Sequence, residues 1–203
     1  MHFPSQVYQP VPANCARPAI ETFAESVAER LGFIPDQDLA ESRQMSGKVR
    51  FDRIHDLIKK LGGQIGFEYV PPAELSTSQS LIVFNNERFE IALNGRLRLE
   101  ERQQNWILAQ ELGHFLLHYP MVRQKHGDVA MAANRYPDQS NPAAVQARRE
   151  AMWFAFGLLT PAKAFMEIYR STDRPVSLEF RFNLPYRVID LRYQYLSELK
   201  ASG

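Results

Sequence analysis

Apolar residues recur at helical spacing in the first third of the chain. They lie three or four positions apart over residues 18–31, with Gly32 as a stop signal, and again over residues 51–61. Both patterns predict amphipathic helices. The segment 35–48 between them is polar and predicted to be loop-rich. Residues 1–18 hold four prolines without periodicity, which indicates an irregular N-terminal arm.

Short apolar runs follow, and they predict three strands over residues 65–70, 81–84 and 89–93. The links at 85–88 and 94–95 contain asparagine or glycine and are typical of turns. Because the strands are consecutive and do not alternate with helices, they favour an α+β class over a doubly wound sheet.

The second half of the chain is predominantly helical. Two almost entirely apolar helices are predicted over residues 99–117 and 145–159. The polar stretch 120–146 between them is long for a structureless connection, which is typical of a lid or partner-binding loop, or of a solvated insertion. Three shorter helical patterns close the chain, at 162–169, 176–182 and 186–199. With no internal repeat, residues 19–203 are predicted to form one domain that ends in a helical pair.

Composition narrows the class of protein. The chain has 203 residues, of which 45% are hydrophobic and 23% charged, with a net charge of +1. This near-neutral balance gives little drive toward nucleic acid or anionic membranes. No apolar run reaches the roughly 20 residues that span a bilayer, and the N-terminus lacks a secretory pattern. The single Cys15 excludes an intramolecular disulfide and a cysteine-based zinc cluster. We therefore expect a cytoplasmic protein without membrane association.

The central helix carries its few polar residues on one side. At about 100° per residue, Gln110, Glu111, His114 and His118 fall within an arc of about 100°. The remaining positions are overwhelmingly apolar, so we expect the helix to be buried and the polar stripe to find partners inside the protein. Gly113 costs a helix about 1 kcal/mol, which indicates that another backbone, or the metal-bearing part of the site, approaches closely there.

The sequence from Gln110 to His114 is one residue away from a zinc-peptidase motif. The pattern His-Glu-x-x-His places two imidazoles one turn apart, with the glutamate between them as general base. Glu150, near the start of the second apolar helix, is suited to be a third zinc ligand. The same residues also allow simpler interpretations. Histidines on a buried helix are often satisfied core residues, and a carboxylate early in a helix is favoured by the helix dipole.

Two motifs together resemble the ImmA/IrrE family of bacterial and phage-associated metallopeptidases. Residues 108–118 are similar to that family's Ala-His-Glu-Leu-Gly-His motif, with its apolar lead-in and Leu-Leu-His ending. Residues 150–155 and 158–161 are similar to its downstream Glu-Ala-Asn-x-Phe-Ala and Leu-Leu-x-Pro elements. The likeness extends over approximately residues 20–200.

The resemblance implies a zincin-like domain, mostly helical with a small sheet beside the active-site helix. It also implies a zinc endopeptidase that cleaves helix-turn-helix transcriptional repressors, often in prophage, mobile-element or stress-response switches. Carried over by position, Glu111 would be the general base, and His114, Glu150 and residue 110 would be the zinc ligands. The chain departs from the family pattern at Gln110, in place of histidine, and at Met152, in place of asparagine. A carboxamide oxygen is a poor ligand for zinc, which prefers imidazole nitrogen.

Three functions follow as hypotheses. In the first, the fold is kept, zinc is bound weakly or not at all, and the site engages a protein partner such as a helix-turn-helix repressor. In the second, the protein is an active zinc endopeptidase in which Gln110 is a weak ligand. In the third, it is a nucleic-acid-binding regulator that uses Arg181, Arg187 and Arg192 in the C-terminal helical pair. Apolar neighbours and balanced charge argue against this third function.

Overall fold

The two amphipathic helices predicted near the N-terminus are confirmed. Helix α1 spans Arg17–Arg30 and helix α2 spans Gly47–Lys60. The computed structural model describes residues 6–30, 47–74, 78–85, 88–171 and 175–201. Three sequence interpretations therefore lie wholly or partly outside the described residues: the stop at Gly32, the loop-rich segment up to residue 46, and the middle of the link at 85–88.

Within the described residues the sheet has five strands, instead of the three that the sequence predicts. The strands are β1 (Val7–Tyr8), β2 (Gly63–Glu68), β3 (Gln79–Asn85), β4 (Arg88–Asn94) and β5 (Ala130–Asn134). Their order across the sheet is β1-β5-β3-β4-β2. Strand β3 is antiparallel to β4 and β5, whereas β1 pairs with β5 and β2 with β4 in parallel. The two missed strands leave little signal, because β1 has two residues and β5 is rich in alanine, which has a low strand propensity.

The central helix continues past its predicted end. Helix α3 (Glu101–Gly113) leads through a π-helical turn (His114–His118) directly into α4 (Tyr119–His126). Pro120 lies in the first turn of α4, and the wider π-helical turn before it tolerates a residue without an N–H group. The stretch 120–146 is therefore not a structureless loop, since it forms most of α4, β5 and the start of the next helix.

The remaining predicted helices are confirmed, and with them the α+β class. They are α5 (Pro142–Leu159), α6 (Ala162–Arg170), α7 (Pro175–Phe182) and α8 (Tyr186–Ala201). Asn141 caps α5 by accepting hydrogen bonds from the N–H groups of Ala143 and Ala144. No helix in the described part of the chain is long and apolar enough to cross a membrane.

The core lies between one face of the sheet and the buried helices α3 and α5. Leu108 and Leu112 of α3 and Phe154 of α5 are fully buried, as the apolar patterns of both helices predict. The rings of Phe89 on β4 and Phe115 in the π-helical turn stack with centroids 4.2 Å apart. This stacking fixes the end of the central helix against the sheet.

Two glycines allow close contact between helices. A Cβ atom on Gly113 would lie 3.0 Å from the Cα atom of Ala151, so the close approach predicted at Gly113 is confirmed. A Cβ atom on Gly157 would lie 2.6 Å from the backbone oxygen of Glu21, where α5 meets α1.

The Gly157→Ala variant is expected to lose about 1–3 kcal/mol of unfolding free energy, although alanine favours helix more than glycine. The added methyl group would push against a backbone oxygen that a side-chain rotation cannot move. Urea denaturation measures the loss. Gly66→Ala is the control, because a Cβ atom there meets nothing within 4 Å. Equal losses in the two variants would show that the helix contact is not the cause.

Candidate functional site

The polar stripe of the central helix is buried, as predicted, and lies where α3 meets α5. Gln110 is 5% exposed and His114 is 3% exposed, while Glu111, His118 and Glu150 are fully buried. Gln110 and Glu111 lie in the last turn of α3, and the two histidines begin and end the π-helical turn. Buried polar groups need partners. The structure divides four of these five side chains, all but Gln110, into two sets with different partners.

The first set is a hydrogen-bonded chain from the central helix to α5. His114 Nδ1 lies 2.9 Å from His118 Nδ1, and His118 Nε2 lies 3.0 Å from Glu150 Oε2. Because an ionised carboxylate only accepts, His118 donates from Nε2. Burial, together with His118 and Arg148, lowers the pKa of His114 well below its usual range. With its Nδ1 engaged by His118, the His114 ring keeps Nε2 as its other nitrogen.

The Glu150 carboxylate is bonded at both oxygens. Oε2 accepts from the backbone N–H of Ala13 at 2.7 Å as well as from His118. Oε1 accepts from the backbone N–H of Asn14 at 2.9 Å and from Gln146 Nε2 at 3.1 Å. A carboxylate offers about four acceptor sites, so these four donors use them all.

The N-terminal arm supplies two of those donors. Strand β1 anchors the arm by pairing with β5, with Val7 opposite Ala130. Asn14 has a left-handed backbone, with φ of 53°, which asparagine adopts more readily than most residues.

Burial acts to raise the pKa of Glu150, but the hydrogen bonds from His118, Gln146 and Ala13 outweigh it and hold that pKa below its usual range. The arm and His118 thus stabilise an ionised Glu150.

Glu111 forms the second set with Arg148. Its Oε1 lies 3.2 Å from Arg148 Nη1, whereas its buried Oε2 has no hydrogen-bond partner within the described residues. Burial raises the pKa of Glu111, against the opposing effects of Arg148, Ser80 and Arg135. A buried carboxyl group with one oxygen that lacks a hydrogen bond is suited to accept a proton, or a hydrogen bond from an N–H group, of a bound molecule.

A cleft of about 570 Å³ opens over Gln110 and Glu111. It is bounded by the end of β4 and the following turn, by α3, by the residues after β5, and by α5 and α8. Pockets of about 300–1,000 Å³ accommodate small molecules or a few residues of a peptide. Met152 lies in its wall, but among the described residues His114 and Glu150 do not line it. Of the predicted site residues, only Gln110 and Glu111 thus face the cleft.

The arrangement does not fit a zinc centre. No three His, Cys, Asp or Glu side chains in the described ranges are grouped so that they could hold a metal ion. Catalytic zinc takes three protein ligands and leaves one position open. Here Gln110 offers a carboxamide, His114 offers one nitrogen, and Glu150 already accepts four hydrogen bonds. The ligand roles of Gln110, His114 and Glu150 and the catalytic role of Glu111 stay predictions.

The fold and the motif-bearing helix define an α+β domain of the metallopeptidase type. The family model described as the IrrE N-terminal-like domain (Peptidase M78) matches residues 75–194. This match covers more than half of the chain, and the protein belongs to that family. The resemblance to the ImmA/IrrE family is thereby confirmed. No curated protein and no solved structure matches the chain significantly.

Sequence reasoning assigns no role to three features that shape the site: His118, Arg148 and the arm at Ala13 and Asn14. The spacing of His114 and His118 contains a usable signal, because residues four apart on a helix are neighbours. A buried Glu111 also requires a cation or donor, although the sequence does not say that Arg148 supplies it. The arm contacts Glu150 through backbone N–H groups, so the residue types at Ala13 and Asn14 do not predict these contacts.

Proposed function

We propose that this protein keeps the metallopeptidase fold without a hydrolytic zinc centre, and that its cleft binds a segment of a regulatory protein. A helix-turn-helix transcriptional repressor is the partner class proposed, with weak or no cleavage of it. The observation that carries the proposal is the saturation of Glu150 by four donors, two of them backbone amides of the arm. A carboxylate held in this way is not free to complete a metal site.

Gln110 supports the same conclusion independently. Losing an outer-shell partner of a metal site typically costs about 10–100-fold in affinity or activity, and replacing an imidazole ligand costs at least as much. Gln110 instead presents a neutral amide to the cleft beside Glu111. Such a pair can hydrogen-bond the main chain of a bound segment.

The alternative is an active zinc endopeptidase with Gln110 as a weak ligand. One observation favours it: Glu111 has a raised pKa and a buried oxygen without a hydrogen-bond partner in the described part of the chain, as suits a general base in a peptidase. Its position over the cleft suits a substrate as well as a partner.

Metal content distinguishes the two functions. Purified protein incubated with equimolar zinc, desalted and measured by elemental analysis is expected to retain far less than one zinc per chain. The Gln110→His variant is expected to remain below one zinc as well, because Glu150 is still bonded to the arm. Gln139→His, in the exposed link after β5, controls for an added surface imidazole.

Two results would contradict the proposal. One is stoichiometric zinc in the unmodified protein, together with cleavage of a helix-turn-helix repressor that Glu111→Ala abolishes. The other is a full zinc equivalent in Gln110→His, which would show that Glu150 leaves the arm readily when a second imidazole is present.

A further inference from the structure

The cleft over Gln110 and Glu111 carries an excess of positive charge. Four arginines line it, namely Arg96, Arg135, Arg148 and Arg187, and Glu111 is the only acidic side chain among the described lining residues. This local imbalance contrasts with the net charge of +1 for the whole chain. A cleft with charge of one sign focuses its field on ligands of the opposite sign.

The four arginines differ in their existing hydrogen bonds and in their exposure. Arg135 is buried and donates to Glu68 at 3.1 Å and to Ser78 at 3.1 Å, so it forms part of the wall. Arg148 is bonded to Glu111. Arg96 and Arg187 are exposed, the first after β4 and the second on α8, on different elements of the cleft. These two guanidinium groups are the ones placed to pair with a ligand.

Much of the rest of the lining is apolar, beside the amide side chains of Asn94, Gln103 and Gln110. Trp106, Ile107, Val188 and Leu191 contribute to the walls, and the 55%-exposed Tyr136 also lines the cleft. A ligand that fits this lining presents apolar side chains as well as negative charge. A free inorganic anion would leave the apolar surface uncovered.

The second carboxylate oxygen of Glu111 independently indicates a ligand. It is buried, has no hydrogen-bond partner in the described part of the chain, and belongs to a residue that lines the cleft. An unpaired buried acceptor is costly, and a backbone N–H of a bound peptide would satisfy it. A peptide offers a main-chain N–H at nearly every residue, whereas the sugar-phosphate backbone of nucleic acid has none.

From these contacts we propose that the cleft binds an acidic peptide segment of the partner protein, with carboxylates flanking apolar side chains. The carboxylates pair with Arg96 and Arg187, the apolar side chains lie along the α3 and α8 walls, and a main-chain N–H donates to Glu111. This proposal rests on the proposed function, because it names the chemistry of the segment that the cleft receives.

The test uses fluorescence anisotropy with the full chain and two labelled hexapeptide pools. One pool alternates Asp or Glu with Leu, Ile, Val or Phe, and the other alternates Lys or Arg with the same apolar residues. We expect the acidic pool to bind about ten-fold more tightly than the basic pool. We also expect raising the salt from about 0.05 M to about 0.3 M to reduce this preference.

The double variant Arg96→Glu with Arg187→Glu is expected to abolish the preference for the acidic pool. Arg181→Glu is the matched control, since Arg181 is exposed on α7 and does not line the cleft. Circular dichroism confirms that each variant is folded. A labelled single-stranded DNA of about 20 nucleotides is the third probe, which spans more than one typical single-strand binding site.

Three results would overturn the proposal: equal binding of both pools, tighter binding of the DNA, or an unchanged preference in the double variant. None of these depends on zinc content, so failure here is separable from failure of the proposed function. Zinc retention with repressor cleavage would reject the proposed function, whatever the peptide preference.

Discussion

Replacing Glu150 with alanine is expected to lower the free energy of unfolding by about 3–5 kcal/mol. The buried carboxylate accepts hydrogen bonds from Ala13, Asn14, Gln146 and His118. Alanine would leave these donors unpaired, including two backbone amides at the start of the fold. Urea denaturation monitored by circular dichroism measures the change, and native-state hydrogen exchange should show faster exchange at the Ala13 and Asn14 amides.

Two further variants test whether the loss comes from the hydrogen bonds of Glu150. Glu150→Gln is expected to lower the free energy of unfolding by about 2 kcal/mol, which is less than alanine does. The carboxamide keeps one acceptor oxygen, but its NH2 group faces groups that are themselves donors. Glu167→Ala, at an exposed position of α6, is expected to stay within about 0.5 kcal/mol. If Glu150→Ala proved as mild as Glu167→Ala and the arm amides stayed protected, Glu150 would be free for a metal, and the saturation argument would be wrong.

Replacing Arg192 with alanine is expected to cost about 3 kcal/mol or more. Arg192 is fully buried, donates to Glu21 Oε2 at 2.9 Å, and donates twice to the backbone oxygen of Thr160, at 2.9 and 3.2 Å. These bonds connect α8 with α1 and with the end of α5. Removal would leave a cavity, an unpaired carbonyl and a weakened partner for Glu21. Urea denaturation measures the loss.

Arg181→Ala is the control for Arg192, because Arg181 is an exposed arginine on the neighbouring helix α7. We expect it to change stability by less than about 0.5 kcal/mol. Arg192→Lys should fall between the two, since a lysine can keep the charge near Glu21 but lacks the planar fork that also reaches Thr160. Equal stabilities of Arg192→Ala and Arg181→Ala would reject the buried network.

The burial of Arg192 also bears on nucleic-acid binding through the C-terminal helical pair. Of the three arginines that this hypothesis uses, Arg181 and Arg187 are exposed, and Arg187 lines the cleft. Arg192 is inside the core and cannot reach a phosphate. Only two of the three arginines are therefore available to bind nucleic acid through the C-terminal helical pair.

The sequence predicts most helices well because each buries an apolar face that repeats with the helical period, and it predicts α3 and α5 because most of their positions are apolar. It predicts β2, β3 and β4 for the same kind of reason, since they carry runs of apolar residues. It fails at β1 and β5, whose strand conformation depends on pairing with each other and with β3. It also ends the central helix too early, at residue 117, because the π-helical turn that admits Pro120 is a property of the folded chain.

At the site, the sequence by itself determined the family resemblance, the buried polar stripe and the substitution at Gln110, because these depend on residue types at fixed helical spacing. Only the tertiary structure decided what the carboxylates contact. Glu150 accepts hydrogen bonds from the arm and His118. Glu111 pairs with Arg148, while its second oxygen is buried without a hydrogen-bond partner among the described residues. The physical reason is that every residue other than proline has the same backbone N–H group. The residue types at positions 13 and 14 therefore do not show which acceptor their amides bond. Which carboxylate they reach is set by the folding of α1 and β1 against α5 and β5.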